Sequence, residues 1–254
     1  MGYQTKETSH GQFCSLVATF VPTGTDGSTM KLGDIKPANT TWDGSTLFFL
    51  NQYGGTDKFD HEAYGNVKKQ FYYLNAEEAD EFKCAEGWYH VSDEMSEYPM
   101  NDLTVPYGQA FMFDAKDAGA TLMFSGQVKN GARISTIHGQ FNFTGNVTPV
   151  ALTLGDFTCE NTTWDGSTLF FLNQYGGTDK FDHEAYGNVK KQFYYLNTTE
   201  ADDFDCDPGW YHVTDELSEY PMNSVINIPA GAGFMIDAKD AGATLIVPAV
   251  LSQN

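Results

Sequence analysis

Basic residues are scarce. Only 14 Lys and Arg stand against 34 Asp and Glu, and Arg133 is the one arginine. Nucleic acid and anionic membranes both need Lys and Arg to neutralise phosphate, so neither is an expected partner. The deficit is even: eight basic against 18 acidic residues over 1–126, and six against 16 over 127–254, a net −10 in each. Long apolar runs are missing, so no segment reads as a bilayer-spanning helix and no membrane insertion is expected. The first residues, MGYQTKETSHGQF, have neither the basic start nor the apolar stretch of a secretory signal. They fit either a cytosolic chain or a form from which a leader has been removed. Also missing are Gly-x-Ser-x-Gly, His-Glu-x-x-His and a phosphate-cradling Gly-Lys-Ser/Thr. The expectation is therefore a protein that is not an enzyme. Paired carboxylates for glycoside cleavage stay open, because their pairing is spatial.

Cysteine is sparse, at four residues: Cys14, Cys84, Cys159 and Cys206. No Cys-x-x-Cys occurs, which argues against a zinc ribbon or a thioredoxin-type centre. One disulfide in each half, Cys14–Cys84 and Cys159–Cys206, is the simplest pairing; four free thiols are the alternative.

What is present is aromatic and repeated. The chain holds 19 Phe and 14 Tyr, too many for a disordered acidic segment. Residues 39–75, NTTWDGSTLFFLNQYGGTDKFDHEAYGNVKKQFYYLN, return unchanged at 161–197. Gly87-Trp88-Tyr89-His90 recurs from Gly209, Ser96 to Asn101 recurs from Ser218, and Asp114 to Leu122 recurs from Asp237. One domain has been copied in tandem. We place the copies at 1–130 and 131–254, with the polar stretch 129–135 as the boundary. Ser45 to Gln52 and Val67 to Leu74 read as a strand hairpin with a continuous apolar centre. Asn75 and Asn197 should cap short helices, with Glu78 and Glu200 reaching back from the third position. Further short strands at Gly87 to Val91, Leu103 to Val105, Gln109 to Asp114 and Ala120 to Phe124 are separated by Gly and Pro. The expected fold class is all-β: two tandem, duplicated antiparallel β-sandwich or barrel-like domains with one short helix each.

The order of features resembles a group of uncharacterised secreted bacterial tandem β-domain proteins, surface or filament components. It runs from Gly2-Tyr3 through Leu32-Gly33-Asp34-Ile35, the hairpin and Gly87-Trp88-Tyr89. It continues with Pro106-x-Gly108-x-x-Phe111, repeated from Pro229, and closes on Thr121 to Val128, of which the second copy keeps Thr244-Leu245. The resemblance implies an exported, extracellular component at the cell surface. It supplies no catalytic residues.

Several constellations are candidates for binding. Asp57, Asp60 and Glu62 share one polar loop, with His61, and recur as Asp179, Asp182 and Glu184; carboxylates so clustered suit Ca²⁺, the single cofactor considered, though a solvated loop is the simpler reading. Trp42, Trp88, Trp164 and Trp210 are all the tryptophans, and would stack on glycans if exposed or fill the core if buried. His90 and His212 follow Gly-Trp-Tyr in strands and read as structural. The apolar stretch Gly11, Phe13, Leu16, Val17 and Phe20 reads as an assembly strand, and Ala243 to Leu251 as a second free edge. The expected function is an extracellular structural protein that joins copies of itself into a homopolymer, by strand edges or N-terminal strand exchange. A carbohydrate-binding adhesin module is the alternative.

Overall fold

The computed structural model describes residues 2–8, 13–22, 29–38, 45–49, 58–60, 70–90, 98–114, 120–135, 140–160, 168–171, 180–182, 192–212, 220–238 and 242–250. The fold is all-β, with antiparallel sheets and, among the described residues, two short α-helices. In the first half a five-stranded sheet runs in the order Phe13–Leu16, Phe111–Asp114, Thr46–Phe48, Gln70–Leu74 and Gly87–His90. The second half has the corresponding order: Gln140–Gly145, Gly233–Ala238, Thr168–Phe170, Gln192–Leu196 and Gly209–His212. A smaller sheet faces each. Thr121–Val128 lies between Gly2–Glu7 on one side and Phe20–Val21 with Lys36–Ala38 on the other. Its counterpart, Thr244–Val247, lies between Ala132–Ser135 and Thr158–Glu160.

Strand side chains alternate between faces, so each half splits its aromatics two ways. Phe71, Tyr73 and Trp88 join Leu122 and Phe124 in the core between the sheets. Tyr72, Leu74 and Tyr89 point the other way and pack under the helix Ala76–Phe82 through Ala79. In the run QFYYL the four residues after Gln70 are all buried, because both faces of the strand are covered. The helix begins at Asn75, whose Oδ1 accepts from the Glu77 and Glu78 amides at 2.9 and 3.0 Å. Asn197 repeats this at the helix Thr198–Asp203. The reciprocal bond expected from Glu78 and Glu200 is not part of either cap. It appears instead at Leu-Gly-Asp, where Asp34 Oδ2 accepts from the Lys31 amide and Asp156 Oδ2 from the Thr153 amide, closing one 3-10 turn in each half.

The recurring Gly-Trp-Tyr and Pro-Met-Asn motifs form one clamp. Asn101 Oδ1 accepts from the Trp88 amide at 3.0 Å, while the Met100 amide donates to the Trp88 carbonyl at 2.7 Å. The Asn101 carbonyl accepts from Gly33, which ties in the Leu-Gly-Asp turn. Asn223, Trp210, Met222 and Gly155 repeat each bond. Gly87 and Gly209, at φ +151° and +153°, leave room for those asparagines that a Cβ would fill. Both motifs are thus structural.

Residues 132–135, the end of the polar stretch 129–135, form the strand that pairs with Thr244–Val247, inside the second copy placed at 131–254. Two expectations about edges need correcting. Thr244–Val247 is bordered on both sides, so the stretch from Ala243 is not a free edge. The expected strand from Gly11 to Phe20 is split between two sheets: Phe13–Leu16 joins the large sheet and Phe20–Val21 the small one. Joining opposite walls of one core is what makes residues 14–21 buried without a break.

Candidate functional site at the join between the halves

An edge strand presents a row of N–H and C=O groups that want partners. Phe13–Leu16 and Gln140–Gly145 are the edge strands of the two large sheets, and each finds its partners in the other half. The Val17 amide donates to the Gly231 carbonyl at 2.9 Å, and Leu16 forms a β-bridge with Ala232. Reciprocally, the Ala110 amide donates to the Phe143 carbonyl at 3.0 Å, Gln109 Nε2 to the same oxygen at 3.1 Å, and Thr144 Oγ1 to the Gly108 carbonyl at 2.8 Å.

Strand register identifies matching positions. Cys14 pairs with Phe113 and Asn142 with Ile236, its counterpart, so Leu16 matches Thr144 and Val17 matches Gly145. Pro106 to Gly108 matches Pro229 to Gly231. The contacts therefore form two matched sets, as an approximate two-fold axis requires. The surroundings of the two glycines agree: Gly108 lies against Ile134 and Val147, and Gly231 against the matching Lys6 and Thr19. On an axis, matching positions meet each other. A Cβ at Gly145 would run into the Ala232 carbonyl oxygen and stand 2.8 Å from Val17 Cγ1. The repeated block obeys the same axis. Lys58–Asp60 pairs antiparallel with Lys180–Asp182, Phe59 opposite Phe181, with a lysine opposite an aspartate at either end.

The join is apolar in its middle. Val17, Ala110 and Met112 belong to the same core cluster as Phe143, Val147 and Phe234. Tyr107 donates its hydroxyl to the Val147 carbonyl at 3.2 Å, and burial raises its pKa. Lys129, from the connection between the halves, sits 5.0 Å over the Tyr107 ring. Burial lowers the Lys6 ammonium below the usual lysine range.

The remaining candidates fall elsewhere. Trp88 and Trp210 are fully buried and donate their ring N–H to the carbonyls of Ile35 and Phe157 at 2.8 and 2.6 Å, so neither is a stacking platform for glycans. Trp42 and Trp164 lie outside the described residues. Asp60 and Asp182 are in the ladder across the axis; Asp57, Glu62, Asp179 and Glu184 lie outside the described residues. His90 and His212 are buried against Phe71 and Phe193. Leu16, Val17 and Phe20 are buried rather than displayed, Phe13 is in the edge strand, and Gly11 lies outside the described residues.

The expected disulfides do not form: none of the four cysteines is in a disulfide bond. Members of each expected pair sit in different clusters. Cys14 is in the core between the sheets, while Cys84 packs with Tyr72 and Tyr89 on the outer face. Cys159 and Cys206 divide in the same way, and burial pushes the Cys159 thiol up to about 12.

Sequence reasoning missed the residues that make the join, Gly108 to Ala110 and Gly231 to Gly233. The available signal was the repeated Pro-x-Gly, whose glycines take φ +87° and +71°. Among the described residues no helix is long and apolar enough to cross a membrane. Compared with family models, curated proteins and solved structures, the chain matches none.

Proposed function

We propose that this chain is a structural subunit of an extracellular filament or surface layer, a homopolymer built by joining β-sheet edges. One observation carries the reading: the repeated unit has an edge shaped to dock on another copy of itself, and the chain uses it once internally. A unit that tiles in this way is suited to building rather than to turning over a substrate. N-terminal strand exchange belongs to the same reading. Among the described residues, Gly2–Glu7 pairs with one strand, along Thr121–Gly126. The strongly acidic surface keeps free subunits apart, so screening by salt or Ca²⁺ favours assembly.

Light scattering after size exclusion, with electron microscopy, tests this. Concentration-dependent particles or filaments are expected. A strictly monomeric species at high concentration, with and without Ca²⁺, would overturn the reading. Removing residues 1–8 should weaken assembly while the fold persists. Removing 1–20 is a poor test, since Val17 belongs to the second half's core.

The adhesin alternative now rests on other residues. Tyr98 and Tyr220 are 77% and 71% exposed at matching positions, as are Phe82 and Phe204 at 53% and 55%. Repeated exposed aromatics suit glycan stacking. A glycan array on which Tyr98→Ala with Tyr220→Ala changes nothing would remove that alternative.

A further inference from the structure

We infer that the join between the halves also forms between molecules, the first half of one chain docking on the second half of the next. This rests on the subunit reading above and gives it a surface and a direction. The occupant is a second copy of this chain. Among the described residues, the backbone and side-chain hydrogen bonds across the join link Leu16 and Val17 to Gly231 and Ala232, and residues 107–110 to Phe143, Thr144 and Val147, so a half from another molecule offers the same partners. The halves are connected only through residues 129–131, between Thr121–Val128 and Ala132–Ser135. Gly131 has φ +80° and is crowded by Val247, Pro248 and Ala249. A short, crowded connection is the usual setting for partner exchange.

The axis sets the polarity. Pairing unlike halves puts Val17 against Gly145, which fits. Pairing two first halves would put Val17 on Val17 where the available space admits one side chain. Pairing two second halves would set Gly145 opposite Gly145 and lose the Val17 packing. Exchange therefore runs first half to second half, which leaves an unused half at each end and propagates as an open chain or closes as a ring. The strand Lys58–Asp60, identical in sequence to Lys180–Asp182, pairs across the same axis and would follow either half into the new contact.

The test uses full-length chain, half of it ¹⁵N-labelled, carrying one engineered cysteine pair across the join. Leu16→Cys with Ala232→Cys is one pair. Gln109→Cys with Thr144→Cys, at the matching positions, is the second, so a fold lost in one variant is tested in the other. Labelled and unlabelled chains are mixed, unfolded, refolded at graded concentrations and oxidised, and the linking peptide is read by mass spectrometry. Exchange gives mixed-isotope 16–232 and 109–144 peptides whose share rises roughly in proportion to chain concentration. Same-isotope peptides alone, at every concentration, overturn it. If light scattering then still shows assembly, the subunit reading stands on another surface; if not, both fall. A third variant, Leu16→Cys with Gln109→Cys, cross-links only two first halves. A mixed-isotope 16–109 peptide there would overturn the polarity.

Discussion

The two halves share a clamp, a cap and a sheet order, yet differ where they touch each other. Away from the join, Trp88 and Trp210 are both fully buried and bonded alike, and Asn101 and Asn223 hold the same neighbours. At the join, Val17 faces Gly145, Lys6 matches Ile134, and Ala18 matches Asn146. Asn146 is itself a buried knot, donating to the carbonyls of Val150, Ile228 and Pro229 and accepting from Thr148. Two identical surfaces meeting on an axis must use the same residue twice at its centre. Two copies in one chain are freed from that constraint, and one large and one small residue then pack better than two of either.

The largest effect should break the comparison equally on both sides. Trp88→Ala and Trp210→Ala should each cost about 3–5 kcal/mol, because each deletes a buried indole and orphans a buried carbonyl. Urea unfolding measures both; costs differing by more than about 2 kcal/mol would mean that the cores are not equivalent. Next, Gly145→Val should destabilise by roughly 1–3 kcal/mol by overpacking the axis. Adding Val17→Gly should return part of that loss, and a double-mutant cycle with no coupling would remove the axis from the account. Asn101→Ala and Asn223→Ala should each cost about 1–3 kcal/mol, since each leaves the edge-strand tryptophan amide without its acceptor.

The smallest effect sharpens the comparison at Lys6. Lys6→Ile gives the first half the residue that Ile134 supplies in the second, and should stabilise by roughly 0.5–1 kcal/mol after discounting for the water that still reaches the side chain. The folded Lys6 pKa is lowered, so the folded state releases its proton first. Wild-type stability should rise as pH climbs through the folded Lys6 pKa, and level off above the ordinary lysine value. The advantage of Lys6→Ile should shrink over that window. Thermal melts from pH 8 to pH 11 check it, and an advantage constant with pH would refute the burial account.

Much of the fold could be read from residues alone. The hairpin from Thr46 to Leu74, the Asn75 and Asn197 caps, and the short strands between Gly and Pro all depend on local chemistry that the chain carries with it. The site could not be read in the same way. Val17 reads as one apolar residue among several, and its role comes from meeting Gly145. The cysteines suggested bridges by their order, but Cys14 lies in the core between the sheets, while Cys84, just past the helix Ala76–Phe82, packs with Tyr72 and Tyr89 on the other face. The tryptophans suggested stacking platforms, but Trp88 and Trp210 fall on the inward face of a strand whose other side is also covered.

By itself the sequence determined that a β-rich unit occurs twice, where its turns and caps fall, and that its surface is acidic. Those properties follow from period, propensity and charge, which act over a few residues. Only the tertiary structure decided which edges are covered, and that the copies cover each other about an axis. That depends on groups far apart in the chain satisfying one another's hydrogen bonds and filling one another's space, and no local pattern records which distant partner a strand edge will find.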